Sequence, residues 1–113
     1  MEKDIRPWGE YKVLSESKAY KIKEIQVNPK QRLSLQRHQK RAEHWYILQG
    51  KALVTLGEEK IPLQAGESIN IPLQAIHRVE NTGFHPLIFI EVQTGESFDE
   101  NDIERLEDDY SRK

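Results

Sequence analysis

Two short stretches of this chain carry side chains able to share one metal ion. The first is Gln36-x-His38-x-x-x-x-Glu43 followed by Gly50, and the second is Gly66-x-x-x-x-x-Pro72-x-x-x-x-His77-x-x-x-Asn81. Together they offer an amide oxygen, two imidazoles and a carboxylate, a mixed donor set suited to a first-row divalent cation that keeps open positions. Zinc heads the candidates, with manganese, cobalt and ferrous iron also admitted by two nitrogens and two oxygens. Side chains alternate across a strand, so Gln36 and His38 share a face with about 7 Å between them. Glu43 follows a short polar connection, Gln39-Lys40-Arg41-Ala42, and opens the apolar run Trp45-Tyr46-Ile47-Leu48, so a hairpin would return it opposite that pair. His77 opens another run, His77-Arg78-Val79-Glu80, whose strand must enter the same sheet for the four to meet. A lone histidine near a turn is usually an ordinary polar residue, but four candidate ligands in this pattern favour a metal site.

Both stretches resemble the paired motifs of the cupin superfamily, with Gln74 standing where the second motif usually has glycine. More narrowly, Arg6-Pro-Trp-Gly9, Leu35-Gln-Arg-His38, Arg41-Ala-Glu-His-Trp45, Gly50 and Glu107-Asp-Asp-Tyr110 are similar to the C-terminal cupin domain of type II phosphomannose isomerases. The similarity runs from about Arg6 to Arg112. It implies an all-β cupin double-stranded β-helix, a jelly-roll barrel. It also implies interconversion of mannose 6-phosphate and fructose 6-phosphate through a cis-enediol, in the supply of GDP-mannose. In such proteins a mannose-1-phosphate guanylyltransferase domain usually precedes the cupin, and cupins of this size commonly pair as homodimers by exchanging N-terminal strands, with Trp8 here as an anchor. Two other functions compete: a non-catalytic sugar-binding cupin serving a separate guanylyltransferase, and a cupin oxygenase. The neutral amide oxygen of Gln36 suits a redox-silent Lewis acid better than oxygen chemistry.

Moving a proton between C2 and C1 of a sugar needs a base within hydrogen-bond reach. Glu91 is a carboxylate inside the apolar run Ile90-Glu91-Val92. Pointing inward it would have a raised pKa and could serve as that base, whereas pointing outward it would be an ordinary edge residue. His44 is a second candidate, although alternation aims it away from the face of Glu43. A phosphate needs cations, and Arg41, in the matched motif, is the first choice, with Arg78 and Lys40 behind it and Arg37 read as solvated. Trp45 is in phase with Glu43 and faces the interior, where it either stacks on a sugar ring or fills core.

A chain of 113 residues forms one small domain, residues 1–113, with a single core. Its six glycines are scattered and form no phosphate-cradling loop, which argues against nucleotidyl transfer. A net charge of −2 and a pI near 6.1 leave no cationic field for nucleic acid. The longest apolar run, Leu87-Ile88-Phe89-Ile90, cannot span a membrane, and Met1-Glu2-Lys3-Asp4 is too charged to begin a signal peptide. The lack of cysteine excludes disulfides and fits a cytoplasmic protein. Strand-like runs fall at 11–14, 20–27, 32–35, 44–49, 52–56, 69–71, 77–80 and 87–93, punctuated by turn residues, as in a sandwich or barrel. A short C-terminal helix is expected over Asn101–Asp109, capped by Asn101 or Asp99, with Ile103 and Leu106 in contact at i and i+3.

Overall fold

The computed structural model describes residues 3–112. Every regular element among them is a strand: β1 (Lys3–Arg6), β2 (Gly9–Glu16), β3 (Tyr20–Val27), β4 (Leu35–Arg37), β5 (Arg41–Gln49), β6 (Lys51–Leu56), β7 (Glu59–Gln64), β8 (Ser68–Ile71), β9 (His77–Asn81), β10 (Leu87–Gly95) and β11 (Glu104–Glu107). They form a six-stranded sheet, β1-β2-β3-β10-β5-β8, and a five-stranded sheet, β11-β4-β9-β6-β7, all antiparallel. One face of each sheet is buried against the other, and the period-2 alternation of β3, β5 and β10 decides which side chains go inside.

Inward positions change character along each of these strands. At one end Val27, Ile47, Leu87 and Phe89, with Val54 and Val79 from the other sheet, are fully buried and make an apolar floor. Towards the other end the same faces present Lys23 and Lys21, Glu43 and Arg41, and Glu91 and Gln93. Hydrophobic burial therefore closes one end of the barrel, and the charged cavity lies at the other.

Three expectations need correction. The C-terminal helix is absent: residues 104–107 extend as β11 and pair with β4, Glu104 opposite Arg37 and Arg105 opposite Gln36. A cross-strand Arg37–Glu104 salt bridge at 2.6 Å ties that edge, and Asp102 accepts the backbone N–H groups of Gln39 and Lys40, both at 2.9 Å. Asp99 does accept the N–H of Asn101, but as a local turn with no helix behind it. Secondly, β4 and β5 are not a hairpin, because they belong to different sheets. Thirdly, β1 and β7 were not apparent in the sequence, β7 because Pro62 interrupts it, a residue tolerated there at the sheet edge.

Candidate metal centre

Gln36, His38, Glu43 and His77 are all buried, and His38, Glu43 and His77 bring one potential ligand atom each within 4.8 Å of the others. His38 and Glu43 approach across the gap between the sheets, with Nε2 of His38 3.2 Å from Oε2 of Glu43. His77 arrives on β9, directly opposite Gln36 of β4, with its Nε2 3.9 Å from Oε1 of Glu43. The turn that delivers it is held by the N–H of Ala75 on Pro72 O and that of Gln74 on His38 O. Gln74 adopts φ +65° there, which accounts for the usual glycine. Asn81, at the far end of the same motif, donates to Val27 O and His85 O and accepts from the N–H of Gly83, so it holds a turn and does not line the cavity.

Backbone carbonyls orient both imidazoles. Nδ1 of His38 lies 2.7 Å from Asp102 O and Nδ1 of His77 lies 2.9 Å from Ala75 O. A protonated Nδ1 donating to each carbonyl leaves both Nε2 lone pairs aimed at Glu43, the tautomer that a metal-ligating histidine needs. Burial, reinforced by the Arg41 charge, pushes His38 down to about 4, so it is neutral at physiological pH. Burial would raise the Glu43 carboxyl, but the neighbouring His77, Arg41 and His38 hold it well below the usual carboxylate range. Arg41 donates from Nε to Glu43 Oε2 at 2.9 Å and lies 3.2 Å from Nε2 of His38, while Trp45 donates to Glu43 Oε1 at 2.9 Å. Two imidazoles tethered through Nδ1 with Nε2 towards a carboxylate held ionised are a donor set a divalent cation accepts, so these residues fit one.

A cavity of about 240 Å³ opens over these groups, and Gln36, Arg41, Trp45 and Glu91 share its wall with the three donors. Glu91 points inward, between Lys23 of β3 and Trp45 of β5 in the strand register. Burial, with the Glu43 charge behind it, pushes its carboxyl up to about 8. Gln93 donates to its Oε1 at 2.5 Å, and the amide oxygen of Gln93 is buried without a partner among the described residues. Trp45 packs on Phe89 below and meets His77 edge-on, so its ring joins the apolar floor to the site.

Other candidates fall elsewhere. Arg78 does not line the cavity, because its guanidinium is held by Leu33 O at 2.9 Å and by Glu107. Lys40 is exposed and also outside the cavity wall. His44 is exposed and paired with Asn70 at 2.6 Å, as its phase on β5 requires. Trp8 is buried in the core of its own chain. Sequence reasoning missed a charged cluster beside Glu91 on β3, where buried Lys21 and Lys23 meet Glu100 at 2.8 and 2.9 Å. The available signal was phase: Ile25 and Val27 fix the inward face of β3, and that face carries both lysines.

The family model described as mannose-6-phosphate isomerase C-terminal matches residues 1–108. Alginate biosynthesis protein AlgA of Pseudomonas aeruginosa is 46% identical over 107 residues, covering 95% of this chain and 22% of its own length. Mannose-1-phosphate guanylyltransferase ManC of Salmonella typhimurium is also 46% identical, over 95% of this chain and 22% of its own. The chain thus spans less than a quarter of the length of these curated relatives. Among solved structures, the cupin domain of Schizosaccharomyces pombe Cnp3 superposes with a TM-score of 0.74 at 13% identity, over 76% of this chain and 64% of that one. The fold is a cupin.

Proposed function

The chain belongs to the mannose-6-phosphate isomerase C-terminal family, and on that premise we propose that it interconverts mannose 6-phosphate and fructose 6-phosphate with a divalent cation. One observation carries this: two buried carboxyls, Glu43 and Glu91, which their surroundings drive in opposite directions, share one cavity with two histidines whose Nε2 atoms face Glu43. A metal shell needs only one of them. His38, Glu43 and His77 would hold the ion, with Gln36 as fourth ligand and zinc the first choice. When bound, the ion supplies Lewis acidity that stabilises negative charge developing on the sugar oxygens at C1 and C2.

Glu91 is the group left to carry the proton. In its ionised form it takes the proton from C2 and returns it to C1, and Gln93 fixes one of its oxygens for that transfer. Arg41, buried beside the donors, offers a permanent N–H donor to a sugar oxygen. Trp45 and Phe89 close the floor, which keeps water from the enediol.

The test is turnover of mannose 6-phosphate by purified protein, stripped with chelator and reloaded separately with zinc, manganese, cobalt and ferrous iron. Metal-restored turnover on the order of 1 per second or more supports the assignment. It should be lost in Glu91→Gln while metal content is unchanged. No turnover from protein shown to rebind metal would remove the isomerase and leave a sugar-phosphate-binding cupin.

A further inference from the structure

Five cationic side chains line the cavity: Arg6, Lys23, Arg41, Arg105 and Arg112. Lys23 is matched by Glu100 at 2.9 Å and Arg41 by Glu43 at 2.9 Å. The other three are not evenly matched. Arg112 donates from Nε and Nη2 to Asp108 at 2.8 and 2.9 Å. Arg6 donates to the hydroxyl of Tyr11 at 3.1 Å. Arg105 makes no ion pair or side-chain hydrogen bond among the described residues, and its buried Nε has no partner. Burial and then the Arg112 charge, against the opposing pull of Asp108, hold Arg105 below its ordinary value, and Arg6, Arg105 and Arg112 line the same cavity. An unpartnered buried guanidinium N–H in a cavity lined by two further arginines is costly unless an anion reaches it.

Position strengthens the case. Arg105 lies opposite Gln36, and Gln36 lies opposite His77, so the three form one row across β11, β4 and β9. Two strand spacings put the root of Arg105 about 10 Å from that of His77. That separation suits a ligand whose anionic end and reacting end are several bonds apart, and guanidinium forks suit a tetrahedral dianion better than a lone carboxylate.

We propose that Arg6, Arg105 and Arg112 form a binding site for a phosphate monoester dianion, at the end of the cavity beyond Gln36 from the His38–Glu43–His77 cluster. This deepens the isomerase assignment by locating the phosphate of its substrate, and it replaces Arg78 and Lys40 in that role. Asp108 is a positioning residue, since it fixes the Arg112 guanidinium without needing to touch the ligand.

Inorganic phosphate is the probe, titrated into the full chain as purified at pH 8 and low salt and followed by calorimetry or phosphorus NMR. Saturable millimolar binding is expected, weakened at least tenfold in Arg105→Gln and also in Arg6→Gln. Arg32→Gln, at a position held by Asp109 outside the cavity wall, should bind as wild type does. Absence of saturable binding in wild type overturns the site, as does wild-type affinity in both cavity variants. Equal weakening in Arg32→Gln also overturns it, by showing only non-specific charge. If one variant fails to fold, the other decides. Because phosphate alone is measured, binding can succeed while mannose 6-phosphate turnover fails, which separates this site from the isomerase assignment.

Discussion

Replacing Glu43 by glutamine should separate the energetics of the site from those of the fold. Glutamine keeps the size of the side chain and an oxygen for the Trp45 N–H, but it removes the charge that balances Arg41. Breaking a buried ion pair by neutralising one partner costs about 3–5 kcal/mol, because the survivor stays buried and charged. Arg41 retains His38 at 3.2 Å and reaches Glu100 at 4.0 Å, so the lower figure, about 3 kcal/mol, is expected for metal-free protein. For 113 residues, an unfolding entropy of about 2.1 cal/mol/K per residue converts each kcal/mol into about 4 °C. Metal-free Glu43→Gln should therefore melt about 13 °C below metal-free wild type.

The second half of the signature is the response to metal. Zinc at about 100 times its dissociation constant stabilises a protein that binds it only when folded by about 2.7 kcal/mol, or about 11 °C here. Wild type should show that rise and Glu43→Gln should not. Adding Arg41→Met to Glu43→Gln removes both buried charges, so the double variant should regain most of the lost stability while remaining blind to metal. Circular dichroism melts with and without zinc read all three proteins. A metal-induced rise that survives in Glu43→Gln would remove the carboxylate from the ligand set. An unchanged melting temperature in the metal-free variant would show that Arg41 is not electrostatically dependent on it.

Two further predictions concern the frame around the site. Gln74 holds φ +65° at an exposed turn, where an L side chain costs about 1–2 kcal/mol, and the backbone bond from its N–H to His38 O survives substitution. After subtracting about 0.5–1 kcal/mol for the extra freedom of unfolded glycine, Gln74→Gly should raise the melting temperature by about 2–4 °C, and a fall would refute the strain. Asp108 accepts three N–H groups of Arg112, and its carboxyl is lowered from 3.8 to about 2, with Arg112 the leading cause. A depressed carboxylate adds stability that is present above pH 4 and lost as pH falls through 2, so Asp108→Asn should cost about 1–2 kcal/mol at pH 7 and converge on wild type near pH 2. Denaturant melts across that range that stay parallel would refute the linkage.

Alternation made the inward faces legible from sequence. Gln36 with His38, and Arg41 with Glu43 and Trp45, are buried in the phase the pattern requires, and His44 is outside. Sheet membership was not legible, because nothing local says that four residues after β4 the chain crosses to the other sheet instead of turning back along its own. The C-terminal segment misled for a related reason. Ile103 and Leu106 satisfy a helical spacing over one turn, but cross-strand bonds to β4 outweigh a nucleus that short. Cation partners were equally hidden: Arg78 and Arg105 look alike in sequence, yet one is held by a backbone carbonyl and a glutamate and the other lines the cavity without a side-chain partner among the described residues.

The change along each strand from apolar to charged inward residues explains how so small a barrel tolerates so many buried ionisable groups. On β10 the inward series runs Leu87, Phe89, Glu91, Gln93, and on β5, read towards the same end, Ile47, Trp45, Glu43, Arg41. Strand pairing keeps the two series in step: Phe89 opposite Ile47 at the floor, Glu91 opposite Trp45 at the boundary, Gln93 opposite Glu43 above. Apolar burial at the floor does not depend on which charges sit above it, so the upper levels are free to hold groups whose desolvation only a ligand or a mutual pair offsets. Lys21 and Lys23 share Glu100, Arg41 answers Glu43, and Glu91 stays neutral beside them. Within the described cavity wall this leaves the arginines at its β11 end in excess, and that imbalance is a property of the closed barrel that no single strand displays.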